Sequence, residues 1–131
     1  MKLKIMNLYV DDQDKALRFY TEKLGFQKKA DFGPGSYRWL TVTSLEEPDG
    51  PELHLETNAS PVAKAYQQGL HDQGTPAAMF FVNDIEAEHD RLSKLEVKFT
   101  MPVTKTTGSR IAVLDDTCGN LIQLTQLEWG Q

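Results

Sequence analysis

A chain of 131 residues, 40% hydrophobic and 25% charged, has the size and composition of one globular domain, which excludes a disordered chain and leaves no room for a second full-sized domain. Its 14 Lys and Arg against 19 Asp and Glu give a formal charge of −5, which excludes the clustered basic surface that a nucleic-acid partner requires. The longest apolar run, residues 77–82, is too short to cross a bilayer, and a single cysteine, Cys118, points to a reducing cytoplasmic setting.

Met1-Lys2-Leu3-Lys4 leads straight into strand-like sequence, with no signal-peptide core or cleavage site. In this first strand Met6, Leu8 and Val10 form an apolar side suited to packing under a helix. Leu3, Ile5, Asn7 and Tyr9 form the opposite, mixed side. Asp12 is placed to cap a helix in which Ala16, Leu17, Tyr20 and Leu24 recur at helical spacing, and Gly25 stops it. Strands are expected at about 26–32, 36–44 and 52–57, with turns at Pro34-Gly35 and Pro48-Asp49-Gly50. Ser60 and Pro61 then open a linking helix over about 60–72.

The same order follows again. A strand over 77–82 places Ala78, Phe80 and Val82 under a helix and Ala77, Met79 and Phe81 on the other face. Asp84 caps that helix, whose apolar positions are read as Ala87, Leu92 and Leu95. Strands at about 97–101, 109–115 and 120–126 complete the unit, with Cys118-Gly119-Asn120 as a hairpin turn. Val10 and Val82, Asp12 and Asp84, and Tyr20 and Leu92 are each 72 residues apart, the mark of an internal duplication. The layout is βαβββ, helix, βαβββ: an α+β chain with one module over about 1–57 and a second over about 75–127.

Four segments, in order on this duplicated frame, carry a family resemblance: Val10-x-Asp12, Phe19-Tyr20-x3-Leu24-Gly25-Phe26, Leu53-His54-Leu55-Glu56, and residues 115–124. With them the chain resembles the glyoxalase, bleomycin-resistance and extradiol-dioxygenase superfamily, also named for vicinal oxygen chelation, over nearly its whole length. The resemblance implies paired modules forming a cupped mixed sheet with helices on the convex side, a ligand cleft on the concave side, and pairing of two chains into a homodimer. In metal-dependent members each module gives two ligands to one divalent ion. Laid on this sequence, the four positions fall at Ile5, Glu56, Ala77 and Gln123. Ile5 and Ala77 carry no donor, so the inherited metal site is expected to be absent.

His54 and Glu56 share one face of their strand, because Leu53 and Leu55 point to the helix. They make either a general acid–base pair, a relocated half-site for metal, or two polar residues at a wet sheet end. Asn7, Tyr9, Trp39, Met79, Phe81 and Gln123 are the candidate ligand-binding residues around them. Arg38 and Trp39 are neighbours of opposite facing, and the sequence does not say which points inward; Arg110 is an equally unplaced candidate for an anionic group. His71, His89 and the acidic loop 46–52 read as solvated, and Cys118 lacks a histidine nearby in sequence to activate it.

Two main functions follow. One is a protein without cofactor that binds a small organic ligand beside Glu56, with no nucleic-acid or membrane partner. The other is a lyase or dioxygenase of the same superfamily that keeps one divalent metal ion through His54, Glu56 and Gln123. A dimeric accessory module with a vestigial cleft is the third.

Overall fold

In the computed structural model, residues 1–33 and 37–129 are described, so the turn expected at Pro34-Gly35 lies outside them. The chain divides within its central helix, between Ala65 and Tyr66, into two compact units.

The first unit runs β1 (Ile5–Val10), α1 (Gln13–Arg18), a π-turn (Phe19–Lys23), β2 (Gln27–Phe32), β3 (Trp39–Thr43) and β4 (Glu52–Thr57). Its sheet has the order β1-β4-β3-β2, with β1 parallel to β4 and the other pairs antiparallel. Helix α2 (Pro61–Gln73) follows. The second unit has β5 (Ala78–Phe81), α3 (Ile85–Lys94), β6 (Phe99–Thr106), β7 (Ser109–Asp115) and β8 (Leu121–Leu127) in the matching order β5-β8-β7-β6. Among the described residues no helix is long and apolar enough to cross a membrane.

Both helix caps fall where the sequence places them. The Asp12 carboxylate accepts from the Lys15 amide at 3.0 Å, and Asp84 accepts from the Ala87 amide at 3.1 Å. Each thereby satisfies one of the amides that a helix start leaves without an internal partner. The Lys15 bond also holds the Asp12 carboxyl below its usual value.

Both caps and both following amides are 72 apart, but the offset does not survive the helix. Gly25, with φ of +90°, ends the first helix, whereas Glu96, with φ of +66°, does so in the second, and 96 − 25 = 71. The π-turn is the reason. The Leu24 amide reaches back five residues to the Phe19 carbonyl, and the Phe26 amide reaches Tyr20. In α3 the corresponding closing bond, Val97 to Leu92, spans one residue fewer. The first module therefore carries one inserted residue, absorbed without unwinding the helix.

The core of the first unit lies between α1 and its sheet: Leu8, Val10, Ala16, Tyr20, Leu40, Val42 and Leu55 are at most 4% exposed. Full burial of each large apolar side chain contributes about 1.5–3 kcal/mol. In the second unit Ile85 and Leu92 of α3 are buried with Ala112, Leu114, Ile122 and Leu124. The helix face therefore differs from the expected one. Ala87 is exposed and Leu95 is 40% exposed, while Ile85, directly after the cap, leads the buried stripe. Strand β5 begins one residue later than expected, although the Ala77 amide still donates to Leu121. The edge strand β6 extends to Thr106 and tolerates Pro102 because a register shift in its pairing with β7 spans this position, between Met101 and Thr104.

An ion pair repeats between the modules. Arg38 reaches Asp14 of α1 at 2.6 Å, and Arg110 reaches Glu86 of α3 at 3.6 Å; 110 − 38 and 86 − 14 both equal 72.

Candidate functional site

The face of the first sheet away from α1 is built by register. Ile5 lies opposite Glu52, Asn7 opposite His54 and Tyr9 opposite Glu56, while Thr41 of β3 pairs His54 from the other side. Alternation brings all of these side chains, with Trp39, onto one face. At its centre the His54 side chain is 3% exposed, against 25% for Glu56. Its Nδ1 lies 3.0 Å from Asn7 Oδ1 and 3.5 Å from Glu56 Oε2. The Trp39 ring, half-buried, stacks on the imidazole with centroids 4.0 Å apart. Nε2 of His54 is buried without a hydrogen-bond partner. Burial pushes the His54 pKa below its ordinary 6.5, and the nearby Glu56 carboxylate opposes that shift.

Two residues that hold this sheet were not singled out from sequence. Thr41 is fully buried and donates to Glu52 Oε1 at 2.7 Å, so the acidic loop ends in a carboxylate held on the sheet rather than in water. The alternation Trp39, Thr41, Thr43 was the available signal. The side-chain amide of Gln13 donates to the Leu55 and Arg38 carbonyls, tying the start of α1 to β4.

The choice between Arg38 and Trp39 is settled by partners distant in sequence. Arg38 donates through Nε and Nη2 to the two oxygens of Asp31, and through Nη1 to Asp14. That fork holds it toward the helix and keeps the Asp31 carboxyl below its usual range. Trp39 accordingly takes the His54 face. Arg110 is likewise occupied, by Glu86 and Glu128, on the helix side of β7.

The histidines read as solvated have partners. His71 Nε2 is 3.6 Å from Asp115 Oδ2, and the His89 ring lies 4.2 Å from that of Phe99. Cys118 is fully buried in the turn before β8, where its amide donates to Asp116.

In the second unit Met79 and Phe81 are 57% and 53% exposed on β5. Gln123 lies opposite Met79 and donates to Thr125 Oγ1 at 3.1 Å and more weakly to Met79 Sδ at 3.8 Å. Since Met79 is 72 residues after Asn7, the register makes His54 the counterpart of Gln123, and makes Thr125, opposite Phe81, the counterpart of Glu56. The strand position equivalent to Gln123 in the first module is thus two residues before the one taken from sequence.

Residues 2–124 match the model of the Glyoxalase/Bleomycin resistance protein/Dioxygenase superfamily. The chain belongs to this superfamily. An uncharacterised protein of Bacillus subtilis (strain 168), YurT, is 52% identical over 126 residues, which are 96% of this chain and 99% of that protein. The crystal structure of UcmS2 matches with a TM-score of 0.83 at 30% identity, covering 95% of this chain and 97% of that one. TnmS3, an antibiotic binding protein from Streptomyces sp. CB03234, matches with a TM-score of 0.77 at 26% identity over 97% of this chain and 96% of its own.

The superfamily's divalent ion is poorly served by these side chains. Ile5 and Ala77 have no donor atoms, and the Gln123 amide nitrogen is turned to Thr125. Among the described residues no three His, Cys, Asp or Glu side chains gather in a way that could hold a metal ion.

Proposed function

We propose that this chain binds a small, flat organic molecule on the face formed by Trp39, His54, Asn7, Tyr9 and Glu56, and does so without the superfamily's metal. The observation that carries the reading is the buried His54 imidazole, stacked on a part-exposed Trp39 and holding one polar atom without a partner. A side chain kept in that state costs stability, and a ligand relieves the cost by supplying a bond and an aromatic surface. The likeness to an antibiotic binding protein at 26% identity over 97% of this chain supports binding rather than turnover. The protein works as a cytoplasmic homodimer, each four-stranded sheet offering edge strands for pairing.

The test is a screen of flat aromatic compounds by ligand-observed NMR against wild type, Trp39→Ala and Glu56→Gln. Hits bind wild type and lose about tenfold or more with Trp39→Ala, for the loss of the stacked ring. Glu56→Gln weakens them by about 1.5–3 kcal/mol, the range for a charged hydrogen bond. Divalent ions and chelators leave the melting temperature unchanged. Hits that bind all three proteins equally, or one tightly held ion per chain, refute the proposal.

A further inference from the structure

Among the described residues, Nε2 of His54 is the buried side-chain nitrogen or oxygen that has no hydrogen-bond partner. Which hydrogen-bonding role it offers follows from the other ring nitrogen. Nδ1 faces Asn7 Oδ1 at 3.0 Å and Glu56 Oε2 at 3.5 Å. An amide oxygen only accepts, so the proton on this side of the ring belongs to Nδ1, and the Asn7 oxygen accepts it. A neutral imidazole carrying its proton on Nδ1 has a bare lone pair on Nε2. The ring stays neutral at physiological pH because burial disfavours the imidazolium. Nε2 is therefore a desolvated acceptor waiting for a donor.

We infer that the ligand of this site presents a hydrogen-bond donor to His54 Nε2, and that its chemical class is a flat aromatic bearing a hydroxyl or N–H group. The inference rests on the proposed binding function. The same geometry excludes carboxylates and disfavours ethers. A carboxylate or ether oxygen would set lone pair against lone pair, and a carboxylate would also meet Glu52 and Glu56 on the same face. The aromatic body is called for by Trp39, whose part-exposed ring stacks on the face of the imidazole and offers a flat surface beside Nε2's ring.

The experiment uses the full chain, nitrogen-15 labelled, near neutral pH. Long-range proton–nitrogen correlation of the imidazole resolves the tautomer directly, and should show His54 neutral with the proton on Nδ1. Naphthol, methoxynaphthalene and naphthoate are then titrated. Naphthol should bind about tenfold more tightly than its methyl ether, which corresponds to about 1.4 kcal/mol, and should shift the Nε2 resonance; naphthoate should not bind. In His54→Phe, which keeps an aromatic ring against Trp39, the naphthol-to-ether ratio should fall to about one. His54→Leu, which likewise offers no acceptor, serves the same comparison if the first variant does not fold.

A proton found on Nε2 in the free protein overturns the inference without any ligand. Equal binding of naphthol and its ether by wild type also overturns it, and leaves the proposed function standing. Failure of every flat probe, in this series and in the wider screen, removes both.

Discussion

Replacing Asp116 with Ala should destabilise the chain more than most single changes, because one buried carboxylate organises the turn that delivers β8. Asp116 is fully buried. Its Oδ1 accepts from the Cys118 amide at 2.7 Å and the Asn120 amide at 2.9 Å, and its Oδ2 accepts from Asn120 Nδ2 at 2.8 Å. Each buried donor left without a partner costs about 1–3 kcal/mol. Three such donors, with some relief from water entering a turn, put Asp116→Ala at about 3–4 kcal/mol. With a urea m-value of about 2 kcal/mol per molar, the midpoint should fall by about 1.5 M at unchanged slope.

Asp116→Asn is the sharper probe. The new amide can keep its oxygen on the two backbone donors, but its nitrogen then faces the Asn120 nitrogen. Asn120 cannot turn over freely, because its oxygen accepts from Gln67 Nε2, which also donates to the Cys118 carbonyl. The single change should cost about 1–3 kcal/mol. Combining Asp116→Asn with Asn120→Asp restores the donor–acceptor match between these two side chains and with Gln67, so the double-mutant cycle should show a favourable coupling of about 1–2 kcal/mol. An Asp116→Ala variant within about 0.5 kcal/mol of wild type, or a double variant no more stable than the singles sum to, refutes this account of the turn.

Acid should weaken the fold through His54. Its folded pKa lies below the ordinary 6.5, so the stabilisation is complete above that value and is lost as pH falls from 6.5 through the folded pKa, where the unfolded chain binds the extra proton. The facing groups are Asn7, Glu56, Thr41 with Glu52, and Trp39, so His54→Gln should flatten that limb of urea stability measured against pH. The two helix ends should respond in opposite senses to glycine. Glu96→Gly, at φ of +66°, should gain about 0.5–1 kcal/mol, and Gly25→Ala, at φ of +90° with nothing within 4 Å to clash, should lose about 1 kcal/mol. Thermal melts that show both changes of the same sign would contradict the left-handed assignment.

Much of the fold was legible because its rules are local. A cap needs only an aspartate three residues before an amide, a strand face needs only alternation, and a duplication shows as a constant offset. Asp12, Asp84 and the sidedness of Leu8, Val10 and Leu55 all follow from neighbours within a few residues. The amphipathic reading of α3 failed where several phases of a weakly apolar helix compete. Choosing Ile85 over Ala87 takes the sheet that α3 packs against.

The sequence by itself determined two βαβββ modules, the family resemblance, the shared face of His54 and Glu56, and the missing donors at Ile5 and Ala77. The tertiary structure alone decided which neighbour of the Arg38-Trp39 pair turns to that face, since the partners that hold Arg38 are Asp31 and Asp14, seven and 24 residues away. It also decided that His54, not Glu56, is the buried counterpart of Gln123. Strand register is set by pairing across long separations, and a two-residue shift keeps the same face and the same alternation, so no local pattern distinguishes the two.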